Sequence, residues 1–71
     1  MAYNPTEFKI MRIKRNLNQK QMAKILKMSY INYNLKENGK RPFSLEDIDK
    51  LKKNEEVLLT NPEILTIFFN D

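Results

Sequence analysis

Residues 18–39, NQKQMAKILKMSYINYNLKENG, decide how the chain folds. Asn18 and Gln21 stand at N-x-x-Q spacing, so each side chain can satisfy a free backbone N–H where a helix begins. Met22, Ala23, Ile25 and Leu26 give that helix a buried stripe, and the small Ala23 leaves room for a neighbouring helix. Ser29 has the hydroxyl to cap a second helix. Asn38-Gly39 ends it, because both residues tolerate the left-handed backbone of a helix C-terminus. Only Lys27 and Met28 lie between the two helices, which makes them cross sharply.

That layout is a helix-turn-helix, at about residues 18–38. Leu17-Asn18-Gln19, Met22-Ala23, Leu26, Ser29 and Glu37-Asn38-Gly39-Lys40-Arg41-Pro42 resemble the Cro and lambda-repressor type of regulator at matching spacing. A looser resemblance spans about residues 6–58, and the whole chain is similar to the small antirepressor-type modulators of repression of lactococcal temperate phages. The resemblance implies one all-α domain over residues 1–71, with five to six short helices. It also implies a transcription regulator of a phage genetic switch between lysis and lysogeny, working in the cytoplasm of a bacterial host cell. Arg12 matches an arginine frequent in the family and is expected to pair with a carboxylate, for which Glu37 is the candidate. Two positions depart from the family pattern: Lys27 replaces the glycine of the turn, and Lys36 fills the inward slot before Glu37-Asn38-Gly39, where the family is apolar.

At 71 residues the chain is one domain. A chain this short buries only about 60% of its unfolded surface, so most of its apolar residues must serve as core. Cysteine and histidine are both absent, which removes disulfides, thiolate metal sites and the commonest general base. No apolar run reaches membrane-spanning or signal-peptide length, so a soluble intracellular protein is expected. Charge is unevenly divided. Residues 1–41 hold ten Lys or Arg against two acids, net +8, while residues 42–71 hold three Lys against seven acids, net −4. A cationic front half suits a polyanion or an acidic protein surface.

Upstream, Asn4-Pro5-Thr6-Glu7 opens a first helix to about Arg15, with Phe8, Met11, Ile10 and Ile13 supplying its buried face. Downstream, Ser44 and Asp47 repeat the capping pattern for a helix over Leu45–Lys53 that is expected to bury Leu45, Ile48 and Leu51. Its acids come early and its lysines late, which suits the helix dipole. Asn54 is placed to cap a short helix over residues 55–59, and Asn61-Pro62-Glu63 to open a C-terminal helix over about residues 62–69. The apolar residues of that last segment cover more than one face, which suits either closure of the core or a dimer or partner contact. Nothing reads as a strand.

Function turns on the second helix of the motif. Carried over by resemblance, its outward positions are Ser29, Tyr30, Ile31, Asn34 and Leu35. Ser29 and Asn34 have the chemistry to hydrogen-bond to bases, whereas Ile31 and Leu35 offer only apolar contact. Two readings follow. In the first, the surface docks on a protein, the cognate phage repressor, through Tyr30, Ile31, Asn34 and Leu35, with Lys27, Lys36 and Arg41 meeting acids at the rim. In the second, the chain reads operator double-stranded DNA directly. Ser29, Tyr30, Asn32 and Asn34 then face bases, and Gln19, Lys20 and Lys40 face phosphates. A variant of this second reading rotates the helix so that Ile31 and Leu35 turn inward and Tyr30 or Tyr33 outward. No enzyme is expected, because there is no nucleophile–base pair, phosphate cradle or metal-ligand spacing. Neither a cofactor, a metal, a small-molecule substrate nor a membrane surface is implied.

Overall fold

A computed structural model describes residues 3–69. Five helices follow one another: α1 (Pro5–Lys14), α2 (Gln19–Ile25), α3 (Tyr30–Glu37), α4 (Leu45–Lys53) and α5 (Asn61–Phe68). The described residues contain no strand, so the fold is all-α, and no helix is long and apolar enough to cross a membrane.

Each helix starts where a side chain takes over a free backbone donor. The Asn4, Asn18, Ser29 and Ser44 side chains accept from the N–H of Glu7, Gln21, Asn32 and Asp47, and at Asn18 and Ser44 the reciprocal bond closes a capping box. Near the C-terminus the expectation needs correction. The cap of α5 is Thr60 with Glu63, and Asn61 is the first helical residue. Pro62 fits there equally well, since the first-turn N–H groups have no partner within the helix. The short helix expected over residues 55–59 is a turn, with the Asn54 side chain accepting from the Glu56 N–H at 2.8 Å.

Every helix contributes to the core: Phe8 and Met11, Met22 and Ala23, Tyr33, Ile48 and Leu51, Ile67 and Phe68, joined by Leu17, Leu26, Val57 and Leu59 from the connections. Phe8 and Phe43 stack at 4.8 Å between ring centroids, and Tyr3 stacks on Phe68 at 5.7 Å. The ends of the fold are held together by Asn4 N–H donating to the Ile67 carbonyl at 2.7 Å. Arg15 adds a two-pronged pair with Glu63, at 2.7 and 2.9 Å.

Three apolar residues expected inside lie outside. Leu45 is 78% exposed, and Ile10 and Ile13 are exposed on α1. In α4 the buried Asp47, Ile48 and Leu51 fix the inward direction, which leaves Leu45 roughly 110° around the axis. Phe8 and Met11 do the same for α1 and turn Ile10 and Ile13 away.

Candidate functional site

The cationic front half folds into α1, the α2–α3 pair and the loop after it. Lys27 takes the turn between them with φ +57, the left-handed conformation for which a glycine is the usual choice. Met28 N–H donates back to the Ala23 carbonyl at 3.0 Å, which holds the connection against α2.

Beneath this pair sits Glu37, fully buried and fully partnered. Its carboxylate accepts from Arg12 Nε at 2.8 Å, from the Tyr33 hydroxyl at 2.5 Å and from Gln19 Nε2 at 2.6 Å. The Glu37 carbonyl accepts from the Tyr3 hydroxyl at 2.7 Å. A buried carboxylate is tolerable only when its lone pairs are filled in this way. Burial, and after it the neighbouring Glu37 charge, push the Tyr33 and Tyr3 hydroxyls well above the ordinary phenol range, so both remain donors.

From Glu37 the network runs outward to the surface. Gln19 spends its amide N–H₂ on Glu37, while its carbonyl accepts from the Tyr30 hydroxyl at 2.9 Å and from Asn34 Nδ2 at 3.3 Å. Asn34 Oδ1 in turn accepts from Asn38 Nδ2 at 3.2 Å. Arg41 donates to Asn32 Oδ1 at 2.9 Å, and Ser29 Oγ caps α3. Every amide and hydroxyl expected to face a nucleic acid (Gln19, Ser29, Tyr30, Asn32 and Asn34) therefore has a partner within the chain.

The apolar positions separate. Ile31 is 73% exposed and Tyr30 44% exposed, so both stand on the outer face of α3. Leu35 is only half-buried, and its carbonyl accepts from the N–H groups of Lys40 and Arg41. The rotated arrangement is not adopted: Tyr33 is in the core and Ile31 is outside.

Lys36 corrects the rim assignment. It is mostly covered and donates to Asp47 Oδ2 at 2.6 Å, joining α3 to the start of α4, so it is committed to the fold. Burial raises the Asp47 carboxyl, but the Lys36 and Ser44 hydrogen bonds outweigh it and hold the group below its usual range. Gln19, expected on a phosphate, spends its side chain on a bridge between Glu37 and Tyr30. Lys20, Lys24, Lys27 and Lys40 are exposed and carry no ion pair among the described residues, and Lys20 and Lys24 share a shallow groove with Tyr30.

The Glu37 hub is only partly legible in the sequence. Arg12 was paired with it by resemblance, but the contribution of Tyr33, four residues before Glu37 on the same helical face, needed only spacing. No family model matches the chain, and comparison with curated proteins and with solved structures finds no match either.

Proposed function

We propose that the chain is a small helix-turn-helix regulator of a phage-type lysis–lysogeny switch that acts mainly by docking on a partner repressor. The α2–α3 pair is the docking motif. Tyr30 and Ile31 are its apolar anchors, Asn34 and the edge of Leu35 complete the patch, and Lys27 and Arg41 meet acids at the rim.

The observation that carries this reading is the outer face of α3, where a bare Ile31 stands among amides already bonded to one another. Leaving a side chain of that size in water forgoes about 1.5–3 kcal/mol relative to full burial, which a partner surface recovers. A base edge recovers little of it, beyond contact with a thymine methyl. Reading bases with Asn32 or Asn34, or holding a phosphate with the Gln19 side chain, also exchanges an internal hydrogen bond for each external one, for a small net gain.

A second reading, direct binding to operator double-stranded DNA, is favoured by the exposed Lys20 and Lys40, which carry no ion pair among the described residues. The two differ in salt dependence, because phosphate neutralisation makes affinity fall steeply with salt and an apolar patch does not.

The test titrates the protein onto phage operator DNA, alone and with the cognate repressor, for the wild-type chain and Ile31→Glu. Docking predicts that Ile31→Glu weakens repressor association by roughly tenfold or more while leaving the fold intact. Loss of operator binding by the isolated protein, with repressor association untouched, overturns it.

A further inference from the structure

We propose that Asn38-Gly39 is a modification site, at which the chain deamidates itself at a rate set by how often the end of α3 opens. The modification is independent of which target the α3 surface meets.

Deamidation needs a backbone nitrogen that reaches the carbonyl carbon of the preceding asparagine side chain. Glycine obstructs that approach least, because it has no Cβ. The chain has one glycine, and Asn38 precedes it. Every other asparagine of residues 3–69 precedes either a proline, which has no N–H, or a residue with a large side chain. Asn38 and Gly39 are both exposed, so water reaches the pair.

The folded chain keeps the reaction closed. Gly39 N–H donates to the Lys36 carbonyl at 3.1 Å, which holds the proton that must leave before the nitrogen attacks. At Asn38 ψ is 5°, which eclipses the Gly39 nitrogen with the Asn38 nitrogen and turns Cβ away from it. A five-membered ring requires the opposite, with Cβ and the Gly39 nitrogen on one side of the Cα–C bond. The side-chain amide is held as well, since Asn38 Nδ2 donates to the Asn34 carbonyl at 3.0 Å and to Asn34 Oδ1 at 3.2 Å. All three bonds belong to the last turn of one short helix, so a local opening of that turn releases them without unfolding the domain.

In the open turn the Gly39 nitrogen gives its proton to water and attacks Asn38 Cγ. The N–Cγ bond forms, the Cγ–Nδ2 bond breaks, and Nδ2 takes up a proton and leaves as ammonia. Water then adds to either ring carbonyl and opens the ring to aspartate or isoaspartate. Either product is a carboxylate with no N–H to return to Asn34, where it meets two acceptors. It places a negative charge at the C-terminal end of α3, which the helix dipole disfavours, and lowers the net charge of +4 by one. Isoaspartate also lengthens the backbone one residue after the buried Glu37.

The test incubates the full chain at about pH 8, in buffer and in roughly 6 M urea, and follows conversion at residue 38 by intact mass and peptide mapping. Hydrogen exchange at the Gly39 N–H, measured in the same buffer, gives the fraction of time the turn is open. Asn38→Gln serves as the blocked chain and Asn38→Asp as the aspartate product. The expected result is conversion at residue 38 before any other asparagine, slowed roughly tenfold or more by folding, with the slowing equal to the Gly39 exchange protection. Asn38→Gln abolishes it, and Asn38→Asp lowers the urea midpoint. First conversion at another asparagine overturns the proposal. So do equal rates in buffer and urea, or a folded chain slowed more than tenfold beyond its Gly39 protection, because opening of the α3 end is then not the gate. An Asn38→Asp midpoint equal to that of the wild type removes the consequence drawn for the α3 end.

Discussion

Arg12 Nε lies 2.8 Å from Glu37 Oε1, joining α1 to the end of α3 across the base of the candidate docking surface. The pair is nearly dry, with the arginine side chain 12% exposed and the glutamate fully covered. Removing one partner strands the other charge, so Arg12→Ala or Glu37→Ala is expected to cost about 3–5 kcal/mol, a large share of what a 71-residue domain has. Urea unfolding checks this. A loss below about 1 kcal/mol, the value of a solvated pair, sinks it.

Acid sensitivity follows from a second pair. The Arg15 guanidinium, helped by the Thr60 cap, draws the Glu63 carboxyl from its ordinary 4.5 down to about 2. Folding therefore favours the ionised form. The stabilisation is complete above pH about 4.5 and lost as pH falls toward about 2, on the order of 1–2 kcal/mol after allowance for solvent screening. Asp47, also held below its usual range, adds to the same acid loss. Urea midpoints should hold between pH 7 and 5 and fall at pH 3 for the wild type, and Glu63→Gln should flatten part of that fall. An unchanged slope in Glu63→Gln rejects the assignment.

Leu45 and Leu51 share a helix but should respond oppositely to truncation. Leu51 is fully buried, so Leu51→Ala is expected to cost about 2–5 kcal/mol, whereas Leu45→Ala stays within about 0.5 kcal/mol. Equal losses would mean that α4 is turned differently on its axis.

That contrast marks the limit of what the residues reveal by themselves. Helix starts were legible because a cap and its recipient N–H lie three residues apart, so Asn4, Asn18, Ser29 and Ser44 needed no tertiary information. The rotation of a short helix is different. In α4 the buried set includes Asp47, a polar residue admitted only because Lys36 reaches it from α3. A periodicity count assigns that place to Leu45. Gln19 depends on tertiary information for a similar reason: only the fold brings Glu37 within 2.6 Å of its amide. Ile31 is open in the sequence, outward by resemblance or inward if the helix is rotated, and only the burial of Tyr33 and Glu37 turns it outward.

The turn residue Lys27 allows stability and docking to be separated by one substitution. Its φ of +57 is a conformation that side chains with a Cβ resist by roughly 1–2 kcal/mol and glycine does not, so Lys27→Gly should stabilise the fold by about 0.5–1 kcal/mol once roughly 0.5–1 kcal/mol for the freer unfolded chain is subtracted. The same change at Lys24, inside α2, should cost about 1 kcal/mol and serves as the control. If Lys27 also meets acids on a partner, Lys27→Gly must lose association as it gains stability, with the loss greatest at low salt, where exposed charges act most strongly. Thermal unfolding beside repressor binding at two salt concentrations gives both readouts. A more stable variant that binds undiminished removes Lys27 from the rim, and a less stable one contradicts the strained turn.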